Sequence, residues 1–98
     1  MRKDTDRDLR ALVLRDQGRP FTEIARLLEL DSPGAAHESF TRALKLRPKA
    51  EQERLRSREM ERLDTLASEL RSRHDLSGEE IVRRMRGVKQ QRKTLFFV

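Results

Sequence analysis

Apolar residues recur every three or four positions from one end of the chain to the other, and no stretch alternates with period two for long enough to make a sheet. The pattern predicts an all-α protein. A first helix over residues 4–17 would turn Leu9, Leu12 and Val13 to one side, with Asp4, Asp6 and Asp8 at its positive N-terminal end and Gly18 in a left-handed terminating position. A second helix over residues 21–30 follows the Gly18-Arg19-Pro20 break and presents Ile24, Ala25, Leu27 and Leu28. Asp31-Ser32-Pro33-Gly34 then supplies a side-chain acceptor for free N–H groups and a proline suited to a first turn, so a third helix starts there. It carries Ala36, Phe40, Ala43 and Leu44 inward and ends before Arg47-Pro48, because the residue before proline is pushed out of the α region.

Residues 49–74 contain no Gly and are rich in Glu, Arg and Leu, which predicts one long charged helix. Its first half has Leu55 as almost its only apolar residue and reads as a solvated stalk or a helix lying along the surface. Met60, Leu63, Leu66 and Leu70 form a seam, and Glu59 with Arg62 and Glu69 with Arg73 are expected as pairs on its outside. Ser77-Gly78-Glu79-Glu80 has the form of a capping box and opens a fifth helix with Ile81, Met85 and Val88 on one face and Arg83, Arg84, Arg86, Lys89 and Arg92 on the other. The chain ends in four consecutive apolar residues, Leu95-Phe96-Phe97-Val98. Residues 1–48 would form an N-terminal helical domain and residues 49–98 a helical arm for packing or oligomerisation.

Composition narrows the partners. A chain of 98 residues with 41% charged and 35% hydrophobic residues has little apolar material for an independent core, so burial against a second copy or another protein is expected. The formal charge of +6 favours a polyanion. No run reaches the roughly 18 apolar residues of a membrane span, and no apolar segment of a secretory leader follows Met1-Arg2-Lys3, so a cytoplasmic protein without membrane contact is expected. Absence of cysteine removes thiolate chemistry and cysteine zinc sites; His37 and His74 are far apart and form no metal-ligating pattern, and no glycine-rich phosphate loop occurs. No enzyme, cofactor or metal is expected from this inventory.

The sharper signal lies in residues 21–44, FTEIARLLELDSPGAAHESFTRAL. A helix-turn-helix needs a small residue where its helices cross, apolar anchors on both, and a capped second helix whose first turns meet base edges. Ala25 supplies the small residue, Ile24, Leu28, Leu30, Ala36 and Phe40 the anchors, and Ser32-Pro33 the start. The outward set is then Gly34, His37, Glu38, Thr41 and Lys45. His37, Glu38 and Thr41 are candidates for base edges, and Arg42 and Lys45 for phosphates.

Gly18-x-x-Phe21-x-Glu23-Ile24-Ala25-x-x-Leu28, Ser32-Pro33-x-Ala35-Ala36-His37, Arg42-Ala43-Leu44 and the downstream Glu59-x-x-Arg62-Leu63-Asp64-x-Leu66 resemble small actinobacterial and phage helix-turn-helix proteins, a group similar to phage small-terminase subunits and sigma-factor region 4. The resemblance covers roughly residues 9–70 and implies double-stranded DNA as partner, in phage DNA packaging or transcriptional control. Glu29 stands where that turn usually has Gly. The candidate DNA-binding set is therefore Ser32, Gly34, His37, Glu38, Thr41, Arg42 and Lys45. Leu63, Leu66, Leu70, Leu95, Phe96 and Phe97 are candidates for homo-oligomer or protein-partner contact, the seam serving equally well as the chain's own core. The competing reading is a helical adaptor that binds a protein partner through its C-terminal half, and the arginine-rich face of the fifth helix reads either as a solvated face or as a second phosphate-contacting surface.

Overall fold

A computed structural model describes the backbone of residues 3–96 and the side chains of residues 5–95. Five helices follow one another without a strand among the described residues: α1 (Lys3–Asp16), α2 (Phe21–Leu27), α3 (Pro33–Lys45), α4 (Lys49–Arg71) and α5 (Gly78–Phe96). The protein is all-α. It divides into two compact units, Met1–Gln52 and Glu53–Val98.

In the first unit α3 packs against both α1 and α2. Its inner stripe is Ala36, Ser39, Phe40, Ala43 and Leu44, the three- and four-residue spacing of one helical face. Phe40, Leu44 and Ile24 are fully buried, each stabilising the fold by about 1.5–3 kcal/mol through loss of water contact. The face that α1 turns inward is Asp8, Ala11 and Leu12 rather than Leu9, Leu12 and Val13; Leu9 and Val13 are exposed. The reason is electrostatic. Asp8 is buried because Ser39 and Arg42 of α3 satisfy it, and a helix that turns position 8 inward turns positions 9 and 13 away.

The first two turns of this unit close in the same way. After α1, Gly18 at φ +92° lets the Gly18 N–H reach the Arg15 carbonyl at 2.9 Å and the Arg19 N–H reach the Leu14 carbonyl at 3.2 Å. After α2, Glu29 at φ +56° repeats the pattern, with its N–H on the Arg26 carbonyl at 3.3 Å and the Leu30 N–H on the Ala25 carbonyl at 2.8 Å. These are Schellman closures, which use up carbonyls that a helix end leaves free. The expected helix over 21–30 is therefore shorter, and Glu29 is left-handed instead of helical. Extending the helix would forgo the Leu30–Ala25 bond.

Ser32 caps α3, its Oγ accepting from the Ala35 N–H at 3.1 Å. At the other end the Gln52 side-chain amide donates to the carbonyls of Lys45 at 3.2 Å and Arg47 at 2.8 Å, satisfying acceptors that α3 cannot satisfy itself.

The second unit packs α4 on α5 through Leu63, Ala67, Leu70, Val88 and Leu95, with Met60, Leu76 and Met85 partly buried against them. Ser77 caps α5 as expected, accepting from the Glu80 N–H at 3.1 Å. The first half of α4 is not a solvated stalk, because Leu55 and Glu59 are both buried. Glu59 pairs with Arg62 from the inside of the helix rather than the outside, and Arg73 turns to Asp75 instead of Glu69. α4 also stops three residues sooner than its composition predicts, at Arg71.

Candidate nucleic-acid interface

With its inner stripe committed to α1 and α2, α3 leaves an outer face built around Gly34, Glu38, Arg42 and Lys45, all exposed. The other predicted positions are engaged locally. Ser32 is exposed, but its hydroxyl caps the helix. His37 is half-buried, its ring meeting Phe21 edge-on at 5.2 Å, while Phe21 also meets Phe40 at 5.8 Å. The guanidinium of Arg15 lies 4.0 Å above the Phe21 ring, favoured by the negative ring face. The Thr41 hydroxyl donates to the His37 carbonyl at 2.9 Å, the usual local bond of a threonine within a helix. His37 and Thr41 thus sit on the flank of the outer face, and Gly34, Glu38 and Lys45 at its centre.

Arg42 is held differently from a freely extended phosphate ligand. Its Nε donates to Asp8 Oδ2 at 2.9 Å and its Nη2 to Asp8 Oδ1 at 3.0 Å, while Ser39 Oγ donates to the same Oδ1 at 2.5 Å. Burial pushes the Asp8 carboxyl up. The hydrogen bonds from Arg42 and Ser39, with the guanidinium charge, outweigh that and hold it below the ordinary carboxylate range. More than half of the Arg42 side chain remains exposed.

Of the residues assigned to assembly, Leu63, Leu70 and Leu95 are buried inside the second unit's own core, so the core reading of that seam is the one the structure takes. Leu66 is exposed, its expected place in the seam being filled by Ala67. Phe97 lies outside the described residues, as does the side chain of Phe96. Asp75, opposite Arg73 beyond the end of α4, is lowered to about 2 by the guanidinium hydrogen bonds, and Arg73 is raised in turn. His74 is exposed beside them.

Sequence reasoning missed Asp8 and Ser39 as the positioning groups for Arg42. They lie 34 and three residues from it, and Asp8, following Asp4 and Asp6 near the start of the first helix, reads locally as a dipole partner. Among the described residues no group of three or more His, Asp or Glu side chains is placed to hold a metal ion. Among them, too, no helix is long and apolar enough to cross a membrane. No protein family, curated protein or solved structure matches the chain.

Proposed function

We propose that this protein binds double-stranded DNA without catalysis, laying α3 in the major groove as the second helix of a helix-turn-helix. The observation that carries this reading is the local architecture of residues 21–45: a two-turn helix, a tight turn closed through left-handed Glu29, and a longer helix capped by Ser32 whose inner stripe is fully buried while its outer face stays open. Gly34 lets the start of α3 approach the bases, Glu38 accepts from a cytosine amino group, and Lys45 and Arg42 contact phosphates. Two-fold assembly would add a second recognition helix, and phage DNA packaging or transcriptional control is the process such a protein serves.

The test is binding of the purified protein to a mixed-sequence duplex across a salt series, with Lys45→Ala and Glu38→Gln beside the wild type. Lys45→Ala should weaken binding on all sequences and lower the slope of log affinity against log salt by about 1. Glu38→Gln, which removes a negative charge from the docking face, should tighten non-specific binding. Wild-type affinity and slope in both variants would show that α3 does not meet the duplex.

Exposed Leu9 and Val13, one turn apart on α1, favour a second reading, that of a helical adaptor for a protein partner. On that reading polar replacements at these two positions abolish partner capture and leave duplex binding as it was.

A further inference from the structure

The two units differ in how they use charge. Residues 53–98 carry twelve basic and eight acidic residues, and beyond Glu80 there is no acidic residue at all, whereas Arg83, Arg84, Arg86, Lys89, Arg92 and Lys93 follow. Three of these six are spoken for. Arg83 and Arg84 both reach the Glu80 carboxylate, at 2.8 and 3.0 Å, and Arg92 crosses to Asp64 on α4. Arg86, Lys89 and Lys93 have no carboxylate partner among the described residues.

These three occupy one face of α5, at intervals of three and four residues, and with Gln90 and Arg92 they line an open groove along it. Their axial spacing is about 4.5 and 6 Å, short enough for long flexible side chains to reach successive phosphates of one strand. Like charges at such intervals repel, so the row weakens the isolated helix and gives the fold nothing in return. An anion laid along it removes the repulsion. The opposite side of α5 is already used: Val88 and Leu95 are buried against α4 and Met85 is partly buried there. A lipid surface would need apolar side chains among the cations, and among the described residues the outer face offers Val82 as its exposed apolar side chain and no aromatic one.

We propose that the outer face of α5, through Arg86, Lys89 and Lys93, is a second phosphate-binding surface that grips the backbone of a nucleic-acid duplex. The inference rests on the DNA-binding reading of α3 and adds a separate, sequence-independent contact to it. It assigns the affinity of the C-terminal unit to charge and leaves base recognition to the N-terminal one.

The experiment compares the full-length wild type with the triple variant Arg86→Gln, Lys89→Gln, Lys93→Gln and with a charge-matched control, Arg19→Gln, Arg26→Gln, Arg73→Gln, whose arginines each pair with a carboxylate. Binding to a labelled mixed-sequence duplex is titrated from low to moderate sodium chloride, with circular dichroism to check helicity. The slope of log affinity against log salt should fall by about 2 to 3 in the α5 variant and stay close to wild type in the control. The single variant Lys89→Gln, which leaves most of the helix untouched, should lower it by about 1. An unchanged slope in the α5 variants, with wild-type binding intact, overturns the second surface and leaves the α3 reading standing. An equal fall in the control overturns it too, since total charge would then be the cause. No duplex binding by the wild type at low salt overturns both readings, and capture by phosphatidylserine vesicles in that case would assign the row to lipid headgroups instead.

Discussion

Arg42 on α3 grips Asp8 on α1 by two hydrogen bonds of 2.9 and 3.0 Å, so a residue proposed to contact phosphates is also a clamp between two helices of its own unit. Ser39 completes the contact from the neighbouring turn. Removing either partner leaves the other with unmet hydrogen bonds, which costs more than the clamp itself contributes. We expect Asp8→Asn to destabilise the protein by about 2 kcal/mol at neutral pH, read by urea denaturation.

That loss should depend on pH in one direction. The folded-state pKa of Asp8 is depressed, so the unfolded chain takes up the proton first as pH falls. The contribution of Asp8 is fully present above the ordinary aspartate pKa of about 3.9 and disappears as pH drops through the lower folded-state value. The stability gap between wild type and Asp8→Asn is therefore flat from pH 7 to pH 5 and narrows below pH 4. A gap that widened in acid would show that Asp8 is not charged in the native state.

Arg42 separates binding from stability. Arg42→Lys keeps the charge but loses the two-point geometry, so it should lower the thermal midpoint by several degrees while changing the salt dependence of duplex binding little. For this reason Lys45 reports on docking more cleanly than Arg42. A variant at 42 that lost binding and stability together would say nothing about which face meets the groove.

Glu29 sits at φ +56°, where a side chain costs about 1–2 kcal/mol relative to the ordinary helical region. Glycine there removes that cost and gives back part of the gain as extra freedom in the unfolded chain. Glu29→Gly should raise stability by about 0.5–1 kcal/mol, and Glu29→Ala should bring no such gain. Thermal unfolding of the two variants side by side checks it.

Glu59 is buried on α4 with Arg62 as partner. Truncation strands the guanidinium in a partly buried position, and Glu59→Ala is expected to cost about 3 kcal/mol. Glu59→Met fills the same space but strands the same guanidinium and should cost nearly as much, whereas the double variant Glu59→Met, Arg62→Met, which removes both charges, should cost much less. A Glu59→Met single variant as stable as the double one would mean that the Arg62 charge needs no partner at this position.

The number, order and approximate bounds of the helices were legible because the chain marks them with short-range signals: Gly18 after α1, Ser32-Pro33 before α3, Pro48 before α4 and Ser77 before α5. What was not legible depends on residues distant in sequence. Which side of α1 faces inward hinges on Ser39 and Arg42, more than thirty positions away. In α4, Leu63-Leu66-Leu70 and Leu63-Ala67-Leu70 both satisfy helical spacing, and the chain buries the alanine in the seam and leaves the leucine exposed. Of the candidate docking face, exposure of Gly34, Glu38 and Lys45 followed from periodicity, whereas the clamp of Arg42 on Asp8 and the edge contact that draws His37 toward Phe21 did not.

The Phe21 ring, with a guanidinium over one face and an imidazole at its edge, also gives the molecule a spectroscopic signature. The chain has neither Trp nor Tyr, and its commonest residues, Arg, Leu and Glu, lie largely in helices, where their proton resonances crowd together. The circulating electrons of Phe21 act on nearby nuclei of Arg15 and His37 and move their lines away from that crowd. Those displaced lines exist only while α1, α2 and α3 hold one another in register, so a one-dimensional spectrum of unlabelled protein reports whether the N-terminal unit of any variant is intact.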